Sequence, residues 1–116
     1  MATLLDWDRA LENADGSEEL LIELVGVFID ECPEMMRQIR AAIDECDASA
    51  LQRTAHSLKG SARIFAAAAT SDAAMRLEAM GADGDLSGAA EGWIALGAEV
   101  ERLMAALTER ANQQSP

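Results

Sequence analysis

Residues 54–63 read Thr-Ala-His-Ser-Leu-Lys-Gly-Ser-Ala-Arg and contain both the only histidine and the only lysine of the 116-residue chain. At about 100° per residue, this stretch and its flanks divide into an apolar and a polar side of one helix. The apolar side comprises Leu51, Ala55, Leu58, Ala62 and Phe65. The polar side comprises Gln52, Arg53, His56, Lys59, Gly60 and Arg63. The spacing therefore predicts an amphipathic helix that presents His56 to solvent.

The same stretch is a cationic island on an acidic protein. The chain carries 21 acidic and nine basic residues, a formal net charge of −12, yet no carboxylate lies between Asp47 and Asp72. An exposed histidine flanked by positive charge indicates a site that receives an anionic group. The net negative charge argues against nucleic acid or an anionic membrane as the partner.

The composition favours a single all-α domain over residues 1–116. Ala, Leu, Glu, Arg and Met abound, aromatic residues make up 3% of the chain and tyrosine is absent, a mixture typical of helices rather than sheets. The sequence shows no signal peptide and no apolar run long enough to span a membrane, so we expect a cytoplasmic protein. The initial methionine favours a free-standing protein.

Apolar periodicity predicts four long helices and a short one. The predicted helices are residues 3–13; a helix capped by Ser17 and running to about Cys46; a helix capped by Asp47 or Ser49 and running to about Ala67; a helix of about residues 71–81 capped by Thr70 or Ser71; and a last helix beginning near Leu86 or Ser87. Residues 81–85 predict a turn. The pattern indicates an up-and-down four-helix bundle with a short additional N-terminal helix.

Two features of the second helix need separate interpretation. Pro33 interrupts it, but the apolar pattern resumes on the same side, so we predict one kinked helix rather than two. Cys32 and Cys46 are separated by about 21 Å of predicted helix, too far for a disulfide. We therefore expect both cysteines to be reduced.

The eight residues from Ala55 to Ala62 resemble the AH-x-LKG-S-A pattern around the phosphorylated histidine of histidine-containing phosphotransfer (HPt) domains, which act in multistep two-component phosphorelays. The resemblance extends to Leu77-Glu78 with a glycine-rich turn shortly after, and to Phe28 with Pro33. It covers roughly residues 7–107. HPt domains often have a glycine ten residues after the histidine, where Ala66 stands in this chain.

The resemblance implies a phosphocarrier rather than an enzyme. His56 would accept a phosphoryl group from a receiver-domain aspartate and pass it to another receiver, Lys59 would stabilise the phosphoryl charge, and Gly60 would leave room for the partner. Imidazole is a competent nucleophile near neutral pH, and a nearby lysine supplies a mobile point charge. Gly60 costs helix stability, about 0.5–1 kcal/mol relative to alanine, which is consistent with close approach by another molecule.

The implied partners are receiver domains of response regulators, a hybrid histidine kinase, or both. The Mg²⁺ ion and the acceptor aspartate would belong to the receiver, so we expect no cofactor in this chain, which would act as a monomer. The residues predicted to bind the partner are Gln52, Arg53, Arg63 and Ile64, with Ile29 as a further candidate.

Other interpretations stay open at this point. The bundle could be a phosphate-independent scaffold or a regulatory binding module for a kinase or receiver. A metal site at His56 is disfavoured because Lys59 and Gly60 occupy the positions where a second ligand is required. Gly60 could instead permit close helix packing, and Glu78 is interpreted as a surface or capping charge.

Overall fold

The computed structural model describes residues 4–114, and within that range it contains five α-helices and no strand. The helices are α1 (Trp7–Asn13), α2 (Glu18–Asp44), α3 (Ala48–Ile64), α4 (Ala68–Asp83) and α5 (Ala89–Gln114). Each long helix packs against the next one in sequence, and α5 packs against α2, so α2 to α5 close into a bundle. The predicted all-α fold with a short N-terminal helix is confirmed.

One cluster of buried side chains includes residues from all five helices. Helix α5 carries an apolar stripe with steps of three and four residues, made of four buried residues, Leu96, Val100, Leu103 and Leu107, and the half-buried Trp93. Edge-to-face packing joins Phe28 to Phe65, with ring centres 5.5 Å apart. Burial of this stripe supplies the hydrophobic stabilisation that amphipathic helices lack in isolation.

The first two helices begin where side chains cap them. Asp6 accepts a hydrogen bond from the Arg9 amide at 3.1 Å, so α1 begins at Trp7. The predicted start at residue 3 lies outside the described residues. Ser17 accepts a hydrogen bond from the Leu20 amide at 3.1 Å, which confirms the predicted cap of α2. Helix α2 then continues through Pro33 as a single helix.

The connection between α3 and α4 differs from the prediction. Asp47 caps α3 as predicted, accepting from the Ala50 amide at 3.0 Å, but α3 ends at Ile64 rather than near Ala67. The chain turns because Ala66 adopts a left-handed conformation, with φ of 52°. This conformation costs a residue with a Cβ roughly 1–2 kcal/mol, which explains why glycine suits this position.

The predicted caps of α4 are wrong. Helix α4 begins at Ala68, after an N-cap residue that makes no side-chain capping bond. Thr70 and Ser71 lie inside the helix and are buried, and the Ser71 hydroxyl donates to the Ala68 carbonyl oxygen at 3.1 Å. Likewise, α5 begins at Ala89, two to three residues after the predicted start. Polar residues that favour caps are thus used here within the packed helix.

The two tryptophans, Trp93 of α5 and Trp7 of α1, lie near opposite ends of α5. The Trp93 indole N–H donates to the Met36 carbonyl oxygen at 2.9 Å, and the Arg40 guanidinium carbon lies 5.1 Å from the ring centre. At the other end, the Arg110 guanidinium carbon lies 5.3 Å from the centre of the Trp7 ring. Seventeen helical residues, about 25 Å, separate Trp93 from Arg110.

Both cysteines are free, which confirms the predicted absence of a disulfide between them. Cys32 is buried, and burial raises the pKa of its thiol to about 11, whereas Cys46 is exposed. Among the helices of residues 4–114, none is both long enough and apolar enough to cross a membrane.

Candidate functional site

Helix α3 presents His56 to solvent because the residues around it anchor the opposite face. Ala55, Leu58 and Ala62 are fully buried in the core. The His56 side chain keeps 67% of its surface exposed. The imidazole therefore projects from a rigid, well-packed helix and is accessible to another molecule.

Glu78 on α4 binds both of the distinctive side chains of α3. One carboxylate oxygen, Oε2, lies 2.6 Å from His56 Nδ1, and the other, Oε1, accepts a hydrogen bond from Lys59 Nζ at 2.6 Å. The interpretation of Glu78 as a surface or capping charge is wrong, because its side chain is only 18% exposed and links the two helices. These three residues form a triad on the α3–α4 face.

A close approach of the two helices brings Glu78 within reach. A Cβ atom at Gly81 would lie 2.7 Å from the Ala48 carbonyl oxygen and 2.7 Å from the Gln52 amide nitrogen. Gly81 therefore lets the α4 backbone touch the first turn of α3, and Glu78, one turn earlier in α4, faces the same way. The predicted turn at residues 81–85 begins too early, since Gly81 is buried inside α4.

The spacing of small residues around Glu78 is a signal in the sequence for this contact, which the prediction of Glu78 as a surface charge did not use. Ala74, Glu78 and Gly81 are spaced by four and three residues, which places them on one face of α4. Ala74 and Gly81 are small and buried. A carboxylate between two small buried residues indicates a side chain directed at the neighbouring helix rather than at solvent.

The contact fixes which nitrogen of His56 carries a proton. The hydrogen bond from Lys59 lowers the pKa of Glu78 below its ordinary value by more than burial raises it, and the bond with His56 lowers it further. Glu78 is thus an ionised carboxylate, which only accepts hydrogen bonds. Nδ1 must then be the donor, and in the neutral ring Nε2 is left as the unprotonated, nucleophilic nitrogen.

Lys59 is less free than the sequence suggested. Its side chain is only 12% exposed, and its ammonium group is paired with Glu78 instead of extending into solvent. A group approaching Nε2 of His56 thus meets a lysine whose charge is already balanced by a carboxylate.

Gly60 follows Lys59 on the exposed side of α3. A Cβ built at this position meets no atom of residues 4–114 within 4 Å. The alternative that Gly60 serves close packing between helices of this chain is therefore wrong. The absence of a side chain leaves open surface one turn from His56.

The structure does not bring the remaining predicted residues into the triad. Arg53 lies one turn before His56, and its Nη1 donates a hydrogen bond to the Ser49 hydroxyl at 2.6 Å, one turn farther from His56. Gln52 and Arg63 are exposed on the same helix. Ile64 and Ile29 are half-buried and pack against the core. Over residues 4–114, no group of three or more His, Cys, Asp and Glu side chains is arranged to hold a metal ion.

Comparisons with known proteins identify the family and the fold of this chain. The family model of the Hpt domain matches residues 23–109. No curated protein sequence matches the chain significantly. Two crystal structures share its fold, although sequence identity is low.

The first is histidine-containing phosphotransfer protein B (HptB) from Pseudomonas aeruginosa PAO1, with a TM-score of 0.90 and 23% identity over 99% of this chain and 100% of that one. The second is the HPT domain from the Hpt sensor hybrid histidine kinase from Shewanella, with a TM-score of 0.84 and 21% identity over 97% of each chain. These two structures support the fold, and the family model extends over most of the sequence, including His56, Lys59 and Glu78. The protein therefore belongs to the Hpt domain family.

Proposed function

We propose that this protein is a phosphorelay intermediate that accepts a phosphoryl group on His56 from a receiver-domain aspartate and passes it to another receiver. A histidine phosphotransfer role is what membership of the Hpt domain family supports. The observation that carries the assignment to His56 is its exposed imidazole, held through Nδ1 by Glu78 so that Nε2 faces outward.

The chemistry follows from that orientation. The Nε2 lone pair attacks the phosphorus of an aspartyl phosphate, and the P–O bond to the aspartate breaks as the N–P bond forms. The proton stays on Nδ1, so the ring becomes an imidazolium that the Glu78 carboxylate stabilises. Transfer to the next receiver reverses these bond changes with a new aspartate as the acceptor.

Lys59 and Gly60 act on the approaching group in different ways. The Lys59 ammonium lies one turn from His56 and can donate to a phosphoryl oxygen when it shifts away from Glu78. The open surface at Gly60 admits the receiver backbone close to the imidazole. We place the Mg²⁺ ion and the acceptor aspartate in the receiver, so that this chain serves as a carrier without a cofactor of its own.

The test is phosphoryl transfer from a panel of phosphorylated receiver domains to the wild type and to His56→Gln. Because His56 is the only histidine, the variant removes every imidazole. We expect label on the wild type alone, labile in acid and stable in base, as a phosphohistidine should be. Circular dichroism should show that the variant remains helical, since His56 is exposed.

Absence of label with every receiver in a broad panel, on a folded protein, would overturn the proposal. Retained binding of receivers in that case would support the alternative of a phosphate-independent binding module. Label that persists on His56→Gln would place the acceptor elsewhere in the chain.

A further inference from the structure

The Glu78 carboxylate contacts both functional side chains of α3, and its two contacts have opposite consequences for a phosphoryl group. Through Oε2 it stabilises the proton on His56 Nδ1, which favours the phosphorylated imidazolium. Through Oε1 it occupies the ammonium of Lys59, which lies three residues after His56 on the same face of α3. The second contact makes the carboxylate and a phosphoryl group competitors for the same lysine.

A charge count shows why this competition matters. Before transfer, the neutral imidazole, the ammonium and the carboxylate sum to zero. Transfer adds one net negative charge, and the phosphoryl oxygens then face a lysine that Glu78 already neutralises. The two arginines on this face give little compensation, since Arg53 is directed to Ser49 and Arg63 lies seven residues, about two helical turns, from His56. The formal charge of −12 on the whole chain adds a repulsive background for an anion.

The two contacts of Glu78 also differ in how much they depend on its charge. A neutral amide oxygen can still accept the proton of Nδ1, but an amide cannot balance an ammonium. The pKa of Glu78 shows the same difference between the two contacts. The hydrogen bond from Lys59 is the largest cause of its lowering, and the bond with His56 lowers it less. Removing the charge at position 78 while keeping its shape should thus mainly release Lys59.

We propose that Glu78 sequesters Lys59 and thereby weakens retention of the phosphoryl group on His56, which makes this carrier a better donor than acceptor. The inference rests on the proposed function and adds to it a preferred direction of phosphoryl transfer, from His56 to a receiver. Glu78 acts here as a positioning residue, because it affects the phosphoryl group through Lys59 and His56.

The test uses a small-molecule donor, so that it does not depend on any receiver. Phosphoramidate transfers its phosphoryl group to Nε2 of an accessible histidine, with loss of ammonia as the P–N bond of the donor breaks. Free imidazole is then added, and ³¹P NMR measures the equilibrium between phosphorylated His56 and N-phosphoimidazole. The proteins compared are the wild type, Glu78→Gln, Lys59→Met and the double variant.

We expect Glu78→Gln to raise the ratio of phosphorylated to free His56 by about tenfold, the size expected for one hydrogen bond to a charged group. In the Lys59→Met background the same substitution should have no such effect, because the released lysine is missing. Asp72→Asn is the matched control. It makes the same charge change at an exposed position of α4 and should leave the ratio unchanged.

An unchanged or lower ratio in Glu78→Gln would overturn the inference, since it would mean that support of the imidazolium outweighs capture of Lys59. A tenfold rise that survives in Lys59→Met would also overturn it. Failure of phosphoramidate to label the wild type would contradict an accessible Nε2 and overturn the inference. Success here combined with no transfer from any receiver would instead reject only the proposed relay function.

Discussion

Gly60 on α3 and Gly81 on α4 are both helical glycines near the triad, yet their surroundings are opposite. A Cβ at Gly60 would meet nothing within 4 Å. At Gly81 it would lie 2.7 Å from backbone atoms of α3. The first position faces open surface, and the second is where two backbones touch.

The difference teaches that a glycine within a helix can serve an internal or an external contact, and that only the structure separates the two. Gly81 sets the distance between α3 and α4, which allows Glu78 to reach His56 and Lys59. Gly60 has no comparable neighbour among residues 4–114, which supports the proposed close approach of a partner. The two glycines therefore respond differently to the same substitution.

Gly81→Ala should produce the largest change, a loss of about 3 kcal/mol in the free energy of unfolding, because the atoms it would meet are backbone and cannot rotate away. Urea denaturation followed by circular dichroism measures this. Stability equal to the wild type would show that α3 and α4 can separate at no cost, and would remove the contrast with Gly60.

Gly60→Glu should leave the fold intact but reduce transfer from a phosphorylated receiver at least about tenfold, equivalent to about 1.4 kcal/mol in the barrier. The added side chain and its charge occupy the surface beside His56. Initial rates of label transfer measure the effect. Gly26→Glu is the matched control, since Gly26 is also exposed, helical and without neighbours within 4 Å. Undiminished transfer by Gly60→Glu would refute the access role of Gly60.

Gly60→Ala should stabilise the protein by about 0.5–1 kcal/mol, because alanine restricts the unfolded chain and favours the helix without a clash. The sign is opposite to that of Gly81→Ala. Gly26→Ala should behave in the same way for the same reason. The midpoint of urea unfolding distinguishes the three variants, and a destabilised Gly60→Ala would indicate a packing role for Gly60 after all.

The smallest effect should be a pH dependence of the stabilisation that the Glu78 carboxylate gives to the fold. Its pKa is lowered in the folded protein from an ordinary value of 4.5, so the ionised carboxylate stabilises the fold above that pH. This contribution is lost as the pH falls through the lowered pKa. The difference in melting temperature between the wild type and Glu78→Gln should therefore shrink from pH 6 to pH 3. A constant difference for Glu78→Gln would contradict the triad geometry.

The long helices were predictable because their apolar residues repeat at helical spacing over many turns. The stripe from Trp93 to Leu107 needs no knowledge of the neighbours, since its burial follows from its own period. The exposed face of α3 was accessible to the same reasoning, which is why His56 could be singled out.

The helix junctions and Glu78 were not predictable in this way because they depend on contacts between distant residues. Ala66 turns the chain without glycine, and the Asp6 amide donates to the Phe65 carbonyl oxygen at 3.1 Å across the same junction. Glu78 lies 22 residues from His56. Local preferences placed caps at Thr70 and Ser71, but packing of α4 against its neighbours uses both residues as buried ones.

The placement of the tryptophans gives the molecule two separate optical reporters. The chain has no tyrosine and only these two tryptophans, so Trp7→Phe and Trp93→Phe each leave a single fluorophore. Trp7 reports on the end of α5 beside Arg110, and Trp93 reports on the end beside Arg40. Coincident emission changes during unfolding would show that the bundle melts as one cooperative unit. An earlier change at Trp7 would mean that the short first helix detaches while the bundle that contains His56 is still folded.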